Sequence, residues 1–220
     1  MTPNPSHLAA AISDFRQARR RAALQELLAR ITQRQINLLA YDDVHVSLRG
    51  RERGLPKLRE IPLDAIIGSV GRHSDFTRSF LPLRESDLQR WAGVEAGVLG
   101  LEGLPPIEVY QIDEAYFVLD GNHRASVAHQ LGATHIEAFV TNVQTRVPLT
   151  ADATPDDIIL KAQYTQFLEE TRLDELRPEQ NLATTIPGQY RVLREHIDFH
   201  RYFMGIDEQR DIANEKAVVH

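Results

Sequence analysis

The sequence predicts an α+β protein: a small mixed sheet carrying long helical additions at both ends. Three observations lead there. The middle of the chain, from "PIEVYQIDEAYFVLD" through "HIEAFVTNV", reads strand, strand, helix, strand, the order of a small mixed α/β core. Apolar residues before position 43 recur at three- and four-residue steps, and a strong helix start stands at Thr154. The chain is 42% hydrophobic, enough for a proper core, yet it holds no run of about 18 apolar residues that would span a membrane.

Taken in order, residues 6–40 read as one long helix or two short ones. Leu8, Ile12, Phe15, Leu24, Leu27, Leu28 and Ile31 carry the stripe, and Ser6 is the expected cap. Val44, Val46 and Leu48 then alternate as in a strand, and Gly50, Gly54 and Pro56 read as turns that break it. "REIPLDAIIGSVGR" gives a short strand, a turn and a glycine-bearing loop. Residues 85–98 are helical, with Trp91 as core, and are ended by the Gly-Pro-rich "GLEGLPP". Strands over 107–112 and 115–119 form a hairpin about Asp113-Glu114. A short helix follows, with Ala125, Ala128 and Leu131 on one stripe and Gly132 as its stop. Thr154-Pro155-Asp156-Asp157 supplies a cap, a proline at the first helical position and acids in the first turn. Two or three helices are expected over 155–220, broken at "RPEQNLATTIPG". The expected organisation is 1–42 helical, 43–147 core and 148–220 helical, the chain stopping inside a helix as part of a longer protein.

Charge and composition narrow the function. Cysteine is absent, which excludes disulfides, thiolate catalysis and Cys-ligated zinc and fits a cytoplasmic protein. The N-terminus lacks the apolar segment of a secretory signal. The net charge of −6 is uneven: residues 1–42 hold six basic and three acidic groups, 43–150 eleven and fourteen, and 151–220 eight and fourteen. DNA-binding domains carry a basic face. Only "RQARRR" at 16–21 offers one, and it reads as a solvated helix face. Net charge therefore disfavours DNA as a partner. His196 and His200, four apart, have metal-ligand spacing, but Ile197 stands where a zinc protease has its glutamate. "FHRYF", with Phe199, Tyr202 and Phe203, reads as helix-packing core.

The informative stretch is "YFVLDGNHRASVAHQLG", residues 116–132. A continuous apolar run reads as a strand buried on both faces. It enters Asp120-Gly121-Asn122-His123-Arg124, and a helix starts there. A helix N-terminus presents unpaired N–H groups and the positive end of the dipole, and a glycine before it lets an anion reach the backbone. His123 adds a switchable donor and Arg124 a bidentate cation. Asp120 can hold a hydroxyl, a metal or a neighbouring base. The alternative is plain structure: a helix cap, a turn glycine and a surface salt bridge. Upstream, "GSVGRHSDFTR" is glycine-flanked, with two arginines six apart and an acid between them.

These two stretches resemble the ParB/sulfiredoxin-fold superfamily, in which a strand enters a "GxxR" or "DGHHR" turn and then a short helix. The resemblance covers roughly 58–142, with both parts in the expected order. It implies a nucleotide-phosphate site. Gly121, Asn122, His123 and Arg124, with Gly71, Arg72 and His73 from the upstream loop, would bind phosphates. Asp120 would orient a metal or the substrate, and Asp75 would be the base. Sulfiredoxin activity is excluded by the missing cysteine. The partition-protein box "GERRxRA" stands here as "GNHRASVA", without its glutamate and one arginine. "DGNHR" is closest to the turn of the free-serine kinases of this fold. The expectation is therefore nucleotide binding, with ATP, ADP or CTP and Mg²⁺, and phosphoryl transfer to a small hydroxyl substrate or nucleotide hydrolysis at this turn. Catalysis would fall to Asp120, His123 and Asp75. The rivals are a ParB-like DNA-associated regulator, a ParB-like nuclease, or a domain that only binds a ligand or partner. The first helix is expected to pack either on its own core or on a second copy in a homodimer.

Overall fold

The computed structural model describes residues 5–99 and 103–220. They divide into two compact units, one taking the chain to Val46 and from Gly50 to Ala153, the other Ser47–Arg49 and Thr154–His220. The N-terminal helix thus belongs with the sheet rather than standing apart.

The first unit is built on a six-stranded mixed sheet in the order β1-β3-β5-β4-β6-β2. The strands are β1 (Leu39–Ala40), β2 (Arg51–Pro62), β3 (Ile66–Ser69), β4 (Ile107–Ile112), β5 (Ala115–Asp120) and β6 (His135–Gln144). The β4–β5 hairpin is antiparallel, whereas β3–β5 and β4–β6 pair in parallel. The core gathers Ile61, Phe76, Ile107, Val118, Ala125 and Val140, among others. Gly68 is the tight point of the sheet: a Cβ there would lie 2.2 Å from the Phe117 ring and 2.6 Å from the Leu39 carbonyl.

The helix α1 (Pro5–Thr32) is single and packs on its own core. Its buried stripe is Ala11, Phe15, Ala18 and Ala22, so small side chains let it lie close to α3 (Leu88–Leu99). Phe15 meets the ring of Trp91 edge-on at 5.6 Å. The leucines that suggested the stripe, Leu24, Leu27 and Leu28, are exposed, as is Ile31. Ser6 lies inside the first turn of α1, not before it. Arg16, Arg20 and Arg21 are solvated, as read, while Arg19 donates to the Pro82 carbonyl at 3.0 Å. Of the "GLEGLPP" stop, Gly100 to Glu102 lie outside the described residues.

Two further sequence expectations are overturned between α1 and β3. Residues 41–47 form a helix, α2 (Tyr41–Ser47), not a strand. Val44 and Leu48 are four apart, so a pair that fits period two also fits one helix face. Asp42 and Asp43 favour a helix N-terminus, and Val46, which a strand would put beside them, is 74% exposed. Gly54 and Pro56 do not break the chain either; β2 runs through them with an irregularity between Arg53 and Lys57. β2 is an edge strand, where a proline sacrifices no ladder hydrogen bond and charged residues discourage further pairing.

The helix α4 (Asn122–Gln130) stops before Gly132, whose φ is 76°. Leu131 is exposed rather than on the buried stripe. A buried hydrogen-bond chain fixes α3 to α4: Trp91 Nε1–H donates to Ser126 Oγ at 2.8 Å, and Ser126 donates to the Phe80 carbonyl at 2.6 Å.

The second unit holds α5 (Pro155–Thr171), α6 (Leu173–Leu176), α7 (Gln189–Glu208) and α8 (Asn214–Val219), one more helix than the most expected. Thr154 and Asp157 form the reciprocal capping box at the start of α5. The break falls between α6 and α7, as read. Tyr164 stacks on Tyr190 at 5.1 Å. Phe199, Tyr202 and Phe203 are exposed, not packing core. His200 meets His220 at 3.0 Å. Among the described residues no helix is long and apolar enough to cross a membrane.

Candidate functional site

β5 ends at Asp120 and α4 begins at Asn122, so Gly121 must turn the chain. Its φ is 109°, and a Cβ would lie 2.5 Å from Ile107 Cγ2; both facts require glycine. Among the described residues no side chain caps α4 at this end. The first N–H groups of the helix and its positive dipole end are therefore left for something else to meet.

The turn opens on a cleft of about 540 Å³. Gly71 and Arg72 reach it from the loop after β3, and Asp120 to Arg124 form its floor. Seven of the nine site residues expected from the sequence thus come together. His73 and Asp75 do not line the cleft. Asp75 is buried and paired with Arg84 at 3.0 Å and Arg72 at 3.4 Å. It orients Arg72 instead of facing a substrate, which departs from its expected role as base.

Two expected ligands are also engaged with protein. Arg124 pairs with the Asp120 carboxylate and donates to the carbonyls of Pro105 and Pro106. It fastens the 105–106 segment to α4, and Asp120, expected as metal ligand, is its counter-ion. Among the described residues no group of three His, Cys, Asp or Glu side chains could hold a metal ion. An Mg²⁺ here would have to be carried largely by the phosphates of its nucleotide, a common mode for this ion.

His123 and Asn122 behave differently. His123 is 7% exposed, packs edge-on against Phe76 at 5.4 Å, and among the described residues neither ring nitrogen has a hydrogen-bond partner. Burial pushes its pKa below the usual value, against the pull of Asp87, so the ring is neutral at pH 7. Asn122 is 5% exposed and its Oδ1, an acceptor, is unpartnered among the described residues. Buried polar atoms without partners are uncommon in folded proteins, and here they cluster at one helix end.

Asp87 and Arg90 were missed from sequence. Asp87 Oδ1 lies 3.8 Å from His123 Nε2 and 3.7 Å from Arg72 Nη1, and its Oδ2 is unpartnered. Arg90 stands on the cleft wall in the first turn of α3. The local signal, "ESDLQRW", announces only the start of an amphipathic helix; the fold alone brings it to the turn. The site therefore combines an uncapped helix end, a neutral imidazole, an unpaired amide oxygen and the arginines 72 and 90.

No protein-family model, curated protein or solved structure matches this chain.

Proposed function

We propose that the cleft binds a nucleotide, its phosphates seated at Gly121 to His123, and transfers or hydrolyses the terminal phosphoryl group. The observation that carries this reading is the N-terminus of α4, capped by no described side chain and opened by the left-handed Gly121, with the unpartnered imidazole of His123 beside it. Anions are favoured at such an end, and Arg72 and Arg90 border the same cleft. The resemblance of "DGNHR" to the turn of a nucleotide-using superfamily supports the same ligand class.

In the reaction, a hydroxyl or water oxygen attacks the terminal phosphorus. The bond from phosphorus to the bridging oxygen breaks, and the nucleotide leaves with one phosphate fewer. His123, neutral and buried, takes the proton of the attacking oxygen. Asp87 stabilises the imidazolium formed. Helix end and arginines neutralise charge on the phosphoryl oxygens, which is where most of the catalysis of such transfers lies. Mg²⁺ brought by the nucleotide would supply further neutralisation.

The test is thermal unfolding with ATP, ADP, CTP and GTP plus Mg²⁺, on wild type and Asn122→Asp. A ligand at about a thousand times its dissociation constant adds ~4 kcal/mol, roughly 8–16 °C for a chain of this size. A shift from at least one nucleotide, lost when a carboxylate replaces the amide at the helix end, is expected. Absence of any shift in wild type would refute the reading.

A further inference from the structure

Gly93 is unexplained by the fold. It lies inside α3 with an ordinary helical backbone, and among the described residues a Cβ there would meet nothing within 4 Å. Neither conformation nor packing asks for glycine, which is among the poorest helix formers. Gly97, one turn on, lines the same cleft, and Arg90 precedes Gly93 by one turn on the same helix stripe. The wall of α3 thus runs from a cation to a strip of bare backbone. Leu104, Pro105 and Leu119 make the neighbouring lining apolar. The polar end is marked independently by His123, which lines the cleft, is 7% exposed and has neither ring nitrogen partnered among the described residues.

Bare helix backbone beside apolar side chains accepts a flat group at close range. The distance from Arg90 to Gly97 along α3 is about two turns, roughly 11 Å, and the cleft volume, about 540 Å³, suits a ligand of nucleotide size. Resting on the phosphate reading above, we infer that Gly93 and Gly97 seat the planar base of the nucleotide, with the phosphates one turn or more away at Arg90 and the α4 N-terminus. Recognition is then divided: α4 reads the charge and α3 reads the ring.

The experiment is titration calorimetry of ATP, CTP and GTP, each beside inorganic tripolyphosphate, on wild type, Gly93→Ala and Gly93→Leu. The Leu side chain fills the seat, and both substitutions favour the helix, so the variants fold at least as stably, which a melting curve checks. The expected result is that wild type binds at least one nucleotide roughly tenfold or more tighter than tripolyphosphate. Gly93→Leu should abolish that preference and leave tripolyphosphate affinity within about twofold, with Gly93→Ala between. Equal binding of nucleotides and tripolyphosphate in wild type would overturn this inference while leaving the phosphate site standing. So would a nucleotide preference that survives Gly93→Leu, or equal weakening of both ligands by it. Binding of neither ligand would overturn the phosphate reading itself and this inference with it.

Discussion

Glu95 is a buried carboxyl that the proposed chemistry does not use. It lies in α3 on the face carrying Trp91 and Ala92, is 0% exposed, and among the described residues neither carboxyl oxygen has a hydrogen-bond partner. Burial, with Asp14 of α1 adding like charge, pushes its pKa from the ordinary 4.5 up to about 7. Below 4.5 the group is protonated whether the chain is folded or not, and its contribution is fully present. Between 4.5 and 7 the unfolded chain releases the proton and the native protein keeps it, so stability falls as pH rises. Above 7 that contribution is gone. At about 1.4 kcal/mol for each pH step of one, the loss is about 3 kcal/mol, or roughly 6–12 °C in Tm. Glu95→Gln removes the titration with little change of shape. Urea unfolding of both proteins at pH values between about 4 and 8.5 should give a stability difference that grows in favour of the variant through this window and then levels. Burial lowers the pKa of His123 and His129. Their contribution has the opposite sign, lost as pH falls, and it cancels in the difference. A difference that stays flat across the range would refute the reasoning.

Three further outcomes are expected. Ser126→Ala leaves the Trp91 N–H and the Phe80 carbonyl without their buried partner, so urea unfolding should report a loss of about 2–4 kcal/mol; a loss below about 0.5 kcal/mol would contradict it. Gly121→Ala forces a side chain onto a φ of 109° and against Ile107, and should cost about 2 kcal/mol or more in the same assay; a neutral result would mean the turn is not held as described. Thr154→Ala removes the capping box of α5 and should cost about 1 kcal/mol, seen as faster amide exchange in its first turn; unchanged exchange would count against the cap.

The parts of the fold written in local chemistry were legible. The β4–β5 hairpin, the Gly121 turn, the Gly132 stop and the Thr154 cap each depend on a few adjacent residues. What failed depended on partners far along the chain. Val44 and Leu48 serve a strand and a helix alike, and only burial decides. Leucines dominate the apparent stripe of α1, yet alanines make the contact, because two helices lying close leave room only for small side chains. The aromatics of α7 look like core by composition but are exposed. At the cleft, residues 120–124 lie together as the sequence suggested because turn and helix end are contiguous. Asp87 and Arg90 were not legible, because they reach the turn only through the packing of α3. Arg124, expected as a phosphate ligand, is engaged by Asp120 and two carbonyls, a competition invisible in sequence.

The claim that the α4 N-terminus is an anion seat is tested most directly by following backbone amide resonances while inorganic tripolyphosphate is added. The account predicts saturable shifts at Asn122, His123 and Arg124, and none at Asp156 and Asp157, where Thr154 already occupies the end of α5. No shift at residues 122–124, or equal shifts at both helix ends, would contradict it.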